Sequence, residues 1–328
     1  NFNSALIESL KGNSVLFYAN SSHIDSLHVN NTNLRPVTEM KANWALQVVR
    51  IFLKSSLTFK KKHYLIACSD NYILPILTVL FFPFFLNKNI SFILHNNIEP
   101  LIRSKKKRIP LKLASKLLNY KFICLTNNSE KAMNSIGFKK TSFIPHMNFS
   151  IYKKIAKKVN IEFPANMVNI IFIGRQAKFF VEKILPKINI SSFNNLNFII
   201  LYKEKIPHNI SNIDQITNWI TNEELNFSLS KADYCFFHNH EVKYRPSGVL
   251  LDSISNNCPV IAPDYGHFSE TQEQKIGLYY KDIETLMDLF EKLNHSQSKR
   301  KDYKQEGFVV AKNQTSLDNF TKKINSVI

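Results

Sequence analysis

At 328 residues the chain exceeds the usual size of a single hydrophobic core, so two domains are expected. It carries 43 Lys+Arg against 25 Asp+Glu, a net charge of +18, and the excess is one-sided: residues 1–160 hold 24 basic and 6 acidic residues, residues 161–328 hold 19 of each. Only seven glycines are present and none falls in a G-x-G-x-x-G, which argues against a dinucleotide dehydrogenase.

In chain order, residues 2–11 have helical periodicity, and Ser14 to Ala19 reads as a strand. A helical pattern over 41–59 is followed by Lys60-Lys61-Lys62 and a strand at Tyr64 to Cys68. The run Ile73 to Leu86 (ILPILTVLFFPFFL) is shorter than the roughly 20 residues a membrane span requires and holds two prolines, so a buried helix is expected. Ile90 to Leu94 is a strand that ends in His95-Asn96-Asn97. Residues 103–118 (RSKKKRIPLKLASKLL) combine a basic run with Leu and Ile at amphipathic spacing. A solvated charged face would explain them, but with Lys60–Lys62 they form a polybasic domain suited to an anionic membrane surface. Strands follow at Phe122 to Thr126 and Ser142 to Pro145, separated by a helix with Gly137 at its end.

Residues 150–166 are polar and basic and read as a linker. The second domain opens with a strand at Asn169 to Ile173, which runs into Gly174-Arg175-Gln176-Ala177-Lys178. Further strands are expected at Asn197 to Tyr202, near Ile213 to Ile220 and at Tyr234 to Phe237, with a helix at Asn222 to Lys231. Another helix is expected at Ile283 to Leu293. A tail from Asn313 to Ile328 places Leu317, Phe320, Ile324 and Ile328 on one helical face. Cys68, Cys124, Cys235 and Cys258 fit neither a disulfide framework nor a metal spacing, and read as buried thiols in a reducing compartment. No signal peptide is recognised at the start of the sequence.

Most of the chemistry concentrates in Tyr244 to Asp264 (YRPSGVLLDSISNNCPVIAPD). The turn Arg245-Pro246-Ser247-Gly248 leads into a helix, and Pro259 to Ala262 is a short buried strand. Loop, helix, strand and loop make one step of a doubly wound sheet, which binds ligands at its loop ends. The N–H groups of Gly248, Val249 and Leu250 open the helix without internal acceptors and, with the dipole, suit a phosphate or diphosphate. Glycine at 248 permits close approach. Asp252 lies about 6 Å further along the axis, on the open side of the helix, where a carboxylate can accept from a ribose. An ordinary turn with a solvated Asp would leave the same trace.

These elements resemble the donor-binding segment of GT-B glycosyltransferases, in particular glycosyltransferase family 4. The likeness is carried by Asn222-Glu223-Glu224-Leu225, Ala232-Asp233, Ser247-Gly248, Asp252, Cys258-Pro259-Val260-Ile261-Ala262 and Glu270, in that order and spacing. It implies an α/β, GT-B fold: two Rossmann-like, doubly wound parallel-sheet domains facing across a cleft. The expected division is an acceptor-binding domain over 1–158, its first strand lying ahead of residue 1, and a donor-binding domain over 159–312. The 313–328 helix would pack back on the first domain. By the same resemblance Arg175 and Lys178 neutralise the donor diphosphate together with Ser247, Gly248, Val249 and Leu250, while Asp252 holds the ribose. The spacing from Arg175 to Lys178 is shorter than the family's commonest form.

The family's second carboxylate would stand eight residues before Asp252, where this chain has Tyr244. Glu241 is the nearest acid, so Glu241 and Tyr244 are the candidates for the donor sugar. His95 faces the transferred sugar in the family and is the candidate catalytic group, with an unperturbed pKa near neutrality. Asp25, Glu39, Asp70 and Glu99 are further candidate bases. The resemblance implies no cofactor and no catalytic metal, a UDP- or GDP-linked sugar as co-substrate, and retention at the anomeric carbon. The acceptor is expected to be a glycan or a lipid-linked glycan of a bacterial surface polysaccharide, reached from the inner face of the cytoplasmic membrane. His238-Asn239-His240 lacks the companions of a metal site. Two rivals remain: a basic nucleic-acid-binding protein, against which stands the lack of any recognised binding motif, and a GT-B nucleotide-sugar epimerase.

Overall fold

The computed structural model describes residues 2–10, 16–20, 24, 27, 34–37, 47, 50–51, 53, 63–67, 73–86, 88–95, 97–118, 120–147, 161–204, 213–218, 220–238, 243–296 and 305–327. The helix expected over 41–59 falls largely outside them, as do Lys60–Lys62, Cys68 and most of the 150–166 linker. Among the described residues every paired strand runs parallel. Short, largely apolar strands such as VNIIFI and LNFIIL dictate this, because they need cover on both faces.

The chain divides into two compact units. One comprises Asn1–Met147, Tyr244–Pro246 and Ser316–Ile328, the other Asn148–Lys243 and Ser247–Thr315. The expected boundary at residue 158 lies outside the described residues. In chain order the first unit begins with α1 (Phe2–Ser9), β1 (Phe17–Asn20), β2 (Leu34–Val37), β3 (His63–Ile66), α2 (Ile73–Leu80), α3 (Phe82–Phe85) and β4 (Asn89–Leu94). It continues through α4 (Ile98–Arg103), α5 (Lys105–Leu118), β5 (Lys121–Cys124), α6 (Asn127–Ser135) and β6 (Thr141–Phe143). Its main sheet has the order β3-β4-β5-β6, with β1 and β2 pairing separately. Phe92, Tyr120, Phe122, Met133 and Phe138 anchor a core on one face of the main sheet.

The apolar run at 73–86 departs from the expected buried helix. It breaks at Phe81 into α2 and α3, with Pro83 at the start of α3, where a missing N–H costs nothing. Leu80, Phe81 and Leu86 are exposed.

The second unit contains β7 (Val168–Ile173), α7 (Arg175–Phe179), β8 (Leu196–Leu201), β9 (Ile213–Ile216), α8 (Asn222–Lys231), β10 (Tyr234–Phe236), α9 (Gly248–Ser255) and β11 (Val260–Pro263). Then come α10 (Ser269–Glu273), β12 (Gly277–Tyr280), α11 (Ile283–Ser296) and α12 (Gln305–Gln314). The last helix, α13 (Leu317–Val327), belongs to the first unit. There Lys121 Nζ donates to Val327 O at 2.9 Å, and Asn325 Nδ2 donates to Ser9 O at 3.4 Å.

The sheet of the second unit has the order β12-β11-β10-β7-β8-β9. Side chains alternate between its faces. Ile170, Phe172, Phe198 and Ile200 enter one core, and Ile171 and Ile199 enter the other. Counted within the unit, that order is 6-5-4-1-2-3, the doubly wound arrangement whose direction reverses between the first and fourth strands. The reversal lies between β7 and β10.

Asp233 locks the opposite, amino end of this pair. Its Oδ2 accepts from Asn169 N at 2.9 Å and from Asn169 Nδ2 at 3.2 Å, while Asn197 Nδ2 donates to Asn169 Oδ1 at 3.1 Å. Asp233, one of the residues behind the sequence likeness, thus joins strands.

Candidate functional site

At the carboxyl end of β7 the chain turns through Gly174, whose φ of 56° suits glycine, into α7. Arg175 and Lys178 stand three residues apart on this helix and are both exposed. Arg175 has no ionic partner among the described residues. Lys178 approaches Glu182 to 3.4 Å, a hydrogen-bonded pair that raises the ammonium pKa. The helix then widens into a π turn over Phe180–Ile184. Phe179 stacks on His238, with ring centroids 3.3 Å apart, and Gln176 Oε1 accepts from His238 N at 2.7 Å. His238 Nδ1 lies 2.9 Å from Tyr280 OH, so this histidine is held inside the protein. Asn239, His240 and Glu241 lie outside the described residues. Among the described residues no group of three His, Cys, Asp or Glu is placed to hold a metal ion.

Beyond β10 the chain reaches α9. Ser247 caps this helix in extended conformation and its Oγ accepts from Leu250 N at 3.3 Å. This corrects the sequence reading: the Leu250 amide is satisfied by the cap, which leaves those of Gly248 and Val249 without an acceptor among the described residues. A Cβ built on Gly248 or on Gly174 meets nothing within 4 Å, whereas one on Gly266 would come within 2.7 Å of Lys243 O. Open space therefore borders the backbone at the start of both α7 and α9.

Asp252 is also less open than its helical position suggested. Leu250, Leu251, Ser253, Ile254 and Ser255 are all buried, since α9 packs on the sheet and both α8 and α12 lie against it. Desolvation raises the half-buried Asp252 carboxyl to about 6. Among the described residues no group donates a hydrogen bond to it.

In the first unit, His95 follows β4 and its ring meets that of His146 edge-on at 5.8 Å. Burial, and secondarily the Arg245 guanidinium, lower His95 to about 4. His146 is lowered to about 4 by burial, and its Nδ1 lies 3.0 Å from Met147 O. Both rings are neutral at pH 7, so His95 is a hydrogen-bonding group and a weak base. The near-neutral pKa assumed from sequence does not hold. Arg245, which sequence reasoning passed over, is brought here by its neighbour. Tyr244 N donates to Glu99 Oε1 at 2.7 Å, Ser129 Oγ donates to Tyr244 O at 2.6 Å, and the Tyr244 ring packs on the core of the first unit. Glu99 is thereby occupied in holding backbone. Asp25, Glu39 and Asp70 lie outside the described residues.

The structure thus gathers His95, Glu99, Tyr244 and Arg245 in one unit. In the other, Arg175, Lys178 and the Ser247–Asp252 helix follow the two strands at which the sheet reverses. No protein-family model matches the chain, and no curated protein matches it significantly. Solved structures match nearly end to end. HepE of Anabaena in complex with UDP-glucose aligns over 99% of this chain and 95% of its own, at 13% identity and a TM-score of 0.67. The chain has the GT-B fold. Within that fold, sucrose-phosphate synthase of Thermosynechococcus elongatus matches 90% of this chain and 80% of its own at 11% identity and a TM-score of 0.62. A trehalose-6-phosphate synthase studied with bisubstrate glycomimetics, for glycosyl transfer with retention, matches 98% and 94% at 10% identity and a TM-score of 0.66.

Proposed function

We propose that the chain is a glycosyltransferase of the family 4 type that moves a sugar from a nucleoside diphosphate sugar to an acceptor. The observation that carries this reading is the sheet reversal in the second unit. A cationic helix start follows one of the two strands there, and the capped helix, with two amides lacking an acceptor among the described residues and an unengaged carboxylate, follows the other. Arg175 and Lys178 neutralise the departing diphosphate, and the Gly248 and Val249 amides hold its oxygens. Asp252 accepts from the ribose hydroxyls. His95, neutral at pH 7, hydrogen-bonds a sugar hydroxyl.

The UDP and UDP-glucose complexes of HepE favour uridine as the base over guanosine. The retaining chemistry of the trehalose-phosphate synthase neighbour favours retention here. The basic first half favours a glycan on a lipid carrier, as in bacterial surface polysaccharide synthesis at the inner face of the cytoplasmic membrane.

The test is thermal stabilisation of the full chain by UDP, GDP, ADP, CMP and free phosphate. A rise selective for UDP or GDP, abolished in Asp252→Ala, is expected. Equal responses to all five would remove the ribose assignment, and no response to any would remove the transferase reading.

A further inference from the structure

Helix α5 has two apolar faces. Leu111, Ala114 and Leu118 are buried in the core of the first unit. At about 100° per residue, Ile109, Leu113 and Leu117 point the other way, and they are 63%, 48% and 45% exposed. The helices packed against α5 extend the pattern, with Leu80 70% exposed and Phe81 and Leu86 partly so. These are six of the ten exposed large hydrophobics among the described residues, gathered on one helical layer. Such clustering marks an interaction site, whereas scattered exposed leucines would not.

The chemistry around the stripe identifies what covers it. Lys105, Lys106 and Lys116 are exposed and project within about 60° of Ile109 on the helical wheel, and α5 contains no acid. None of the three has an ionic partner among the described residues. Arg108 is not part of this face, since it caps α4 by donating to Leu101 O at 3.0 Å and Ile102 O at 2.8 Å. Apolar side chains between lysines match an interface in which the former enter acyl chains and the latter extend to anionic headgroups. A second copy of this chain is disfavoured as the occupant, because residues 1–160 carry 24 basic and 6 acidic residues and would repel their like.

We propose that the outer face of α5, together with the exposed apolar residues at the end of α2, is a docking surface for an anionic lipid bilayer. No described helix is long and apolar enough to cross a membrane, so the attachment is to the surface. The site lies wholly in the first unit and is independent of the donor-site reading, since nucleotide binding neither requires nor tests it.

The experiment is co-sedimentation of the full chain with vesicles of phosphatidylcholine, alone or mixed with phosphatidylglycerol. Binding to the mixed vesicles only is expected. A lysine near an anionic surface contributes about fivefold, so combining Lys105→Gln, Lys106→Gln and Lys116→Gln should weaken binding about a hundredfold. Combining Ile109→Ser, Leu113→Ser and Leu117→Ser should weaken it at least about tenfold, and that loss should persist at high salt. All six side chains are at the surface, so thermal stabilisation by nucleotide should be unchanged in both variants. Equal partitioning to neutral and mixed vesicles overturns the proposal, as does undiminished binding of the serine variant. Lipid-free self-association that the serine variant abolishes would assign the face to a second copy instead.

Discussion

Asp252 is subject to two conflicting demands. Its carboxyl is raised to about 6 by burial, without a hydrogen-bond donor among the described residues to offset the desolvation. The folded state therefore binds the proton more tightly than the unfolded chain, and stability falls as pH rises from about 4 through 6. One pKa unit corresponds to about 1.4 kcal/mol, so Asp252→Asn should stabilise the protein by about 3 kcal/mol at pH 7 and by nothing below about pH 4. The same change should eliminate nucleotide-induced stabilisation. Denaturant titrations at both pH values decide the first point: a destabilised Asn variant at pH 7 would mean the carboxylate already has a partner. Gly248→Ala separates fold from ligand in the same way. Its Cβ meets nothing within 4 Å, so folding should be unaffected or gain about 0.5 kcal/mol. Nucleotide affinity, measured by calorimetry, should fall at least about tenfold if the backbone there faces a diphosphate. Unchanged affinity would move the phosphate elsewhere.

Helix α9 shows how far local sequence reaches. Its start was readable because a Ser-Gly pair ahead of an apolar run is a capping signal, and β11 was readable as an unbroken apolar stretch before a Pro-Asp turn. Ser247→Ala should accordingly cost about 1 kcal/mol through the lost cap, a modest change in a denaturant midpoint. A cost near zero would mean that solvent replaces the Ser247 hydroxyl. The surroundings of α9 were not readable. α12 holds only Phe308 and Ala311 buried while Val309 and Val310 are exposed, so its sequence does not announce a packing face, and the openness of Asp252 was overestimated. Tyr244–Pro246 gave no local sign of joining the first unit either. The bonds that place Tyr244 there, to Glu99 and Ser129, span 145 and 115 residues. The two apolar faces of α5 share a cause with the misread 73–86 run: composition shows that residues are apolar without showing which of them the neighbouring helices leave uncovered.

Titration should distinguish the two units. His95 and His146 both belong to the first and are lowered to about 4. The unfolded chain therefore binds protons that the folded unit excludes, and stability is lost as pH falls below the ordinary histidine value of about 6.5. Between pH 7 and 5 each should withdraw about 2 kcal/mol, or about 4 kcal/mol for the unit. The second unit holds His267, lowered to about 4 by its burial, and Asp252, raised to about 6. His267 withdraws about 2 kcal/mol over the same interval, while Asp252 returns about 1 kcal/mol with the opposite sign. The net loss there is about 1 kcal/mol. Differential scanning calorimetry should thus show two thermal transitions whose spacing changes on acidification, that of the first unit shifting more steeply with pH. His146→Gln should flatten that steep transition and leave the other in place. Two transitions moving in parallel from pH 7 to 5 would show that His95 and His146 reach the proton in the folded state, and would restore His95 as a base for the acceptor hydroxyl.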